Sequence, residues 1–124
     1  MKCLLKSIIY ERMGLNTMKK YVVEVSETAK QDLENIISYL KYNLSGDIVA
    51  DKYKILFKQS LMDLENIAGS INVLDEELTG HKYIRKINVR NYVIFYVVDE
   101  ETSRALVLRI GHTFMDWEKY LKDE

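Results

Sequence analysis

A single cysteine, Cys3, stands in 124 residues, which excludes an internal disulfide framework and fits a reducing compartment. Only two histidines occur, His81 and His112, with no accompanying cysteine–histidine cluster, so no structural zinc site is expected. The longest apolar run, Tyr92 to Val98, falls far short of the roughly 20 residues that span a bilayer. No linker, repeat or low-complexity segment divides the chain. Neither sign of charge dominates: 18 basic residues oppose 19 acidic ones, for a net charge of −1. What remains is an ordinary globular mixture, 48% apolar and 30% charged, in a length that suits one domain with its own core. A soluble, cytoplasmic, metal-free domain is the expectation.

The charge is unevenly spread. Residues 1–20 carry +4, residues 21–80 carry −6, residues 81–110 carry +3 and residues 111–124 carry −2. Phosphate contacts supply much of nucleic-acid affinity, so any basic footprint here must be local, centred on Lys82, Arg85, Lys86 and Arg90. The same four charges also suit the solvated face of a strand. The pattern leaves both readings open.

Residues 1–17 read as an extension. Lys2 before Cys3-Leu4-Leu5 resembles a signal peptide, but Lys6 interrupts the apolar run and no small-residue cleavage site follows. Met18 is a second possible start, and the domain is expected over residues 18–124. Tyr21 to Val25 is β-branched and predicts a strand, with Ser26 a good N-cap for the helix that follows. Ala29, Leu33, Ile36, Ile37, Leu40 and Leu44 form one apolar stripe at helical spacing. Ser45-Gly46-Asp47 ends that helix and offers an N-cap for the next. The second helix is expected to bury Ala50, Tyr53, Phe57, Leu61, Leu64 and Ala68 before Gly69 stops it, and so short a connection makes an antiparallel hairpin. After an acidic loop over 70–80, three strands are expected at Lys82–Val89, Tyr92–Val98 and Arg104–Ile110. A turn at Arg90-Asn91, with Asn91 taking positive φ, joins the first two as an antiparallel meander. Asp116 to Leu121 fits a short last helix. The fold class is α+β in the order β-α-α-β-β-β-α, the helix hairpin covering one face of a mainly antiparallel four-stranded sheet.

No serine-hydrolase elbow, phosphate-binding glycine loop or useful Cys/His spacing occurs. The candidates for chemistry are basic and aromatic side chains on the last three strands. Tyr21 to Ser26 before a helix, Tyr83-Ile84-Arg85-Lys86, the run Asn91 to Asp99, and Leu108-Arg109-Ile110-Gly111-His112 followed by Asp116-Trp117-Glu118 together resemble the RelE/ParE toxin superfamily. The likeness covers about residues 18–122. It implies the toxin half of a type II toxin–antitoxin pair, bound by a cognate antitoxin, with no cofactor and no membrane partner.

The resemblance implies two mechanisms. RelE-like members cleave messenger RNA on the ribosome with arginines and lysines on the sheet, which calls for a base at the 2′-hydroxyl and cations at the phosphorane. In such enzymes an arginine follows the tyrosine of the third strand, whereas here Val93 follows Tyr92. Lys86, Arg109 and His112 are the residues left for that chemistry. ParE-like members act on DNA gyrase by contact, and many carry Arg-Arg-Asp after the final strand. Here that stretch reads His112-Thr113-Phe114-Met115-Asp116. A remnant that only binds antitoxin is the third alternative. The partner-binding candidates are Arg85, Lys86, Arg90, Arg109 and Trp117.

Several of these residues have structural readings too. Arg85 and Lys86 must point to opposite faces, one of them toward a helix carboxylate. Arg109, in an apolar strand, either reaches solvent or pairs with an acid such as Asp116. His112 suits a turn or cap, and Trp117 a lid on the sheet. Tyr92 and Tyr96 share one face and Phe95 takes the other. Tyr39, Tyr42, Tyr53 and Tyr83 can present a ring and a hydroxyl at the surface.

Overall fold

A computed structural model describes residues 20–44, 46–74, 83–115 and 117. The expected extension over residues 1–17, Lys82, and all of the expected last helix except Trp117 lie outside the described residues. Strand β1 (Val22–Val25) runs straight into helix α1 (Glu27–Tyr39). Ser26 caps it as its sequence predicts, its Oγ accepting the Ala29 N–H at 3.0 Å. The same hydroxyl donates to the Leu108 carbonyl at 3.1 Å, so the cap also ties α1 to the last strand. The helix does not continue unchanged to Leu44. Residues Leu40–Leu44 form a π-helical turn, and the Leu40 N–H is shared between the Ile36 and Ile37 carbonyls.

Helix α2 (Asp47–Ile67) antiparallels α1 across a very short connection. Within the expected capping stretch the cap is Gly46: at φ 81° and ψ −160° the backbone occupies a region open essentially to glycine alone, and Asp47 falls inside the first turn. A 3₁₀ turn, Ala68–Ser70, ends it. Strands β2 (Arg85–Val89), β3 (Tyr92–Asp99) and β4 (Arg104–His112) form the meander. β2 is shorter than expected, and β4 runs two residues further. The left-handed residue of the β2–β3 turn is Arg90, φ 55°, where Asn91 was the sequence-based choice.

The sheet order is β1-β4-β3-β2, with β1 parallel to β4 and the other pairs antiparallel. Two helices thus cover one face of a four-stranded mixed sheet. Between them lies the main core, where Phe57, Leu64, Ile94, Tyr96, Val107 and Ile110 are buried. Ile84, Val93 and Phe95 form a second, smaller cluster on the opposite face, with Leu108 and Trp117 packed against it. Tyr92 and Tyr96 therefore face the helices and Phe95 turns away, as alternation demands. Among the described residues no helix is long and apolar enough to cross a membrane.

Candidate functional site

The cations of the last three strands are mostly committed to the fold. Arg109 meets Asp32 of α1 through two bonds, Nε to Oδ2 at 2.9 Å and Nη2 to Oδ1 at 3.1 Å. A break in register accompanies this pairing. Tyr96 pairs with Val107 and Phe95 with Arg109, so Leu108 is an extra residue outside the ladder, a β-bulge. Leu108 turns to the far cluster while Arg109 reaches α1. The Ile110 N–H also donates to Asp32 Oδ2, at 3.0 Å. Among the described residues Asp32 is the acid that answers Arg109, while Asp116 lies outside them.

Arg85 points to the helix side as alternation requires, but it finds a helix-end carbonyl and not a carboxylate. Its Nη1 donates to the Ala68 carbonyl at 3.0 Å, beside the Tyr96 hydroxyl donating to the same oxygen at 2.9 Å. Burial pushes the Tyr96 phenol far up from its ordinary value, with the Arg85 charge opposing. Arg104 pairs with Glu24 at 2.8 Å. Lys86 and Arg90 are exposed, and neither side chain has a polar partner among the described residues.

His112 organises the chain after β4. Its Nδ1 accepts the Phe114 N–H at 3.2 Å, which assigns the ring proton to Nε2. Its carbonyl accepts the Met115 N–H at 3.2 Å and the Trp117 indole N–H at 2.8 Å. The Trp117 ring then lies over Phe95, centroids 4.7 Å apart, and covers Gly111 so closely that no Cβ fits there. An aromatic chain runs outward through this point. Tyr92 meets both Tyr53 and Phe57 edge-on, His112 stands edge-on to Tyr92 at 5.3 Å, and Phe114 lies against His112 at 4.7 Å. Tyr53 is therefore a half-buried part of this chain rather than a surface ring, while Tyr39, Tyr42 and Tyr83 are exposed. Burial first, then the neighbouring Tyr53 and Tyr39, raise the Tyr92 phenol above its ordinary value.

Among the described residues three clefts adjoin α1, and two of them reach the sheet. One, of about 360 Å³, opens between the hairpin and the β1 edge, with Val23, Val25, Leu33, Ile37 and Leu61 in its wall and Lys54 and Lys58 beside them. The other, of about 410 Å³, lies between α1 and the end of the sheet, lined by Asp32, Ile36, Tyr39, Tyr92, His112 and Met115 among others. Among the described residues no group of three His, Cys, Asp or Glu side chains is placed to hold a metal ion.

The three residues assigned to RNA cleavage do not converge. Lys86, Phe95 and Arg109 occupy one row across the sheet, but the Arg109 head leaves it for Asp32. His112 stands on the helix side against Tyr92. Val93 is buried at 2% exposure in the second cluster. The sequence reading missed Asp32, Tyr39 and Phe114 as a group. Asp32 had a signal, being an acid on the apolar stripe of α1, three residues after Ala29 and four before Ile36.

The model of the ParE toxin of type II toxin–antitoxin systems (parDE) matches residues 23–117. The chain belongs to this family. No curated protein matches it in sequence. Among solved structures, the chromosomal ParDE system of P. aeruginosa is similar at TM-score 0.62 and 14% identity, covering 76% of this chain and 97% of that one. The RelBE2 toxin–antitoxin complex of Mycobacterium tuberculosis is similar at 0.55 and 20% identity, covering 77% and 94%. A double mutant of E. coli RelE in the free state gives 0.53 and 17%, covering 84% and 95%. These likenesses establish the RelE/ParE-like fold. The family makes the chain a toxin of the type II toxin–antitoxin class.

Proposed function

We propose that this toxin acts as ParE-like members do, by protein–protein inhibition of DNA gyrase, and is neutralised by a cognate antitoxin. The observation that carries the reading is the commitment of its cations. Cleavage of RNA needs cations held toward the reacting phosphate. Here Arg109 is taken by Asp32, Arg104 by Glu24 and Arg85 by a carbonyl, and Val93 is a buried core residue. His112 receives an N–H at Nδ1 and keeps its proton on Nε2, so it offers a donor where a base is required. Loss of one transition-state cation commonly costs on the order of 10²–10³ in rate.

Antitoxin complexes among the structural neighbours support an antitoxin partner. The cleft beside β1 suits an apolar segment from it. Lys54 and Lys58 at that cleft favour an acidic partner and act mainly on association rate. Among the described residues the basic strip narrows to Lys86 and Arg90, with Arg85 and Arg109 engaged in the fold.

The test places purified toxin in a gyrase supercoiling assay and in a ribosome-bound message cleavage assay. Supercoiling should be inhibited and the message left intact, and antitoxin should reverse the inhibition. Codon-specific cuts abolished by Lys86→Ala would overturn the reading in favour of a nuclease. Antitoxin binding with neither effect would leave a remnant.

A further inference from the structure

Phe114 is the most exposed large apolar side chain among the described residues, at 87%. It is nevertheless fixed in place. Its own N–H is held by His112 Nδ1, its neighbours Met115 and Trp117 both bond the His112 carbonyl, and its ring lies on the imidazole. The Thr113 N–H donates to the Asn91 carbonyl at 2.9 Å, which ties this turn to the turn carrying Arg90. Tyr39, half exposed, faces the same cleft from α1. Two exposed rings, Tyr39 in the wall of a cleft of about 410 Å³ and Phe114 against the His112 that also lines it, mark a contact site.

We propose that Tyr39, the cleft it lines and Phe114 on the adjoining His112 form the target-contacting face of the toxin, which takes an uncharged apolar or aromatic side chain from an acidic loop of the target protein. This rests on the reading of the toxin as a protein–protein inhibitor. The charge of the cleft selects the occupant. Among the described residues no lysine or arginine lines it, and its Asp32 is occupied by Arg109 and the Ile110 N–H. A phosphate therefore meets no cation there, and an uncharged side chain enters without cost to an ion pair. Arg90, on the adjoining turn, stands ready for acidic residues flanking that side chain. Leu33 and Ile37 of α1 face the other cleft, so the helix separates this surface from the one assigned to antitoxin.

The test compares wild type with Phe114→Ala and Tyr39→Ala, each in the full chain. Supercoiling inhibition, growth arrest, antitoxin binding and thermal unfolding are measured together. Each variant should lose about tenfold or more in inhibition and arrest, as hot-spot rings do. Antitoxin affinity should stay within about twofold, and the unfolding temperature should hold. Full inhibition by both variants would overturn the proposed face while leaving gyrase as the target. Growth arrest lost in both variants, where wild type leaves gyrase untouched, would keep the face and remove gyrase. Parallel loss of antitoxin binding, or a photo-crosslink from position 114 to RNA, would refute the assignment, as would a wild type without toxicity.

Discussion

Asp32 and Arg109 lie 77 positions apart in sequence, and their pairing gives the sharpest stability prediction. The two side chains are 15% and 17% exposed, so water screens them only slightly. Asp32→Ala takes the carboxylate from Arg109 and also leaves the Ile110 N–H without its acceptor. Breaking a fully buried pair costs about 3–5 kcal/mol, and stranding a buried N–H about 1–3 kcal/mol. The two overlap, since both arise from one lost carboxylate, and residual exposure reduces them. A total near 3 kcal/mol is expected, or roughly a 10 °C fall in unfolding temperature for a domain of this size. Arg109→Ala should cost somewhat less, because the Asp32 carboxylate keeps the Ile110 N–H.

The double-mutant cycle decides whether these losses are one interaction. With both side chains removed, neither charge is left buried against its lost counterpart, so the double variant should be about 2 kcal/mol less damaged than the summed singles. Urea unfolding of the four proteins measures this directly. Coupling below about 0.5 kcal/mol, the scatter expected of independent sites, would refute the argument. The cycle also bears on function. If Arg109 acts only by holding α1 to β4, Asp32→Ala must reduce toxicity as much as Arg109→Ala does.

Gly111→Ala would bring a Cβ within 2.6 Å of two Trp117 ring atoms, so the indole must shift, at about 1–3 kcal/mol. Trp117 is the sole tryptophan, and its fluorescence should move toward the exposed limit. Ser26→Ala removes the α1 cap and the bond to Leu108 together and should cost about 1–2 kcal/mol by urea unfolding. The raised phenols of Tyr96 and Tyr92 set an alkaline limit: above their ordinary value of 10.0 the unfolded chain releases protons that the fold retains. The contribution of these phenols should be complete below pH 10 and fall as pH rises beyond it, and Tyr96→Phe should flatten that fall.

Local signals served the elements well. Ser26 is legible as a cap because a hydroxyl there satisfies a donor three residues on, whatever the rest of the chain does. The α1 and α2 stripes and the alternation of Tyr92, Phe95 and Tyr96 follow from helix and strand periods alone. Turns were less legible. Both Arg90 and Asn91 can occupy the β2–β3 turn, and the residue that takes positive φ depends on how β2 and β3 register, a property of the pair. At the start of α2 the conformation excludes any side chain, so glycine prevails over a better capping oxygen one residue on.

The site was less legible because its geometry depends on one extra residue. A regular β4 would alternate Val107, Leu108, Arg109 and Ile110 strictly, placing Arg109 on the face of Val107 and opposite Ile110. The bulge at Leu108 changes the available partners, because Arg109 and the Ile110 backbone now reach the same carboxylate. What pins the bulge is on α1: Ser26 takes the Leu108 carbonyl and Asp32, six residues later, takes the next two groups. The residue that pairs Arg109 and the helix it stands on are thus one structural device. Substitutions that regularise β4 should turn Ile110 away from the face of Val107 and break its N–H bond to Asp32, so they should loosen α1 and lower stability in urea unfolding even where the Arg109 pair survives.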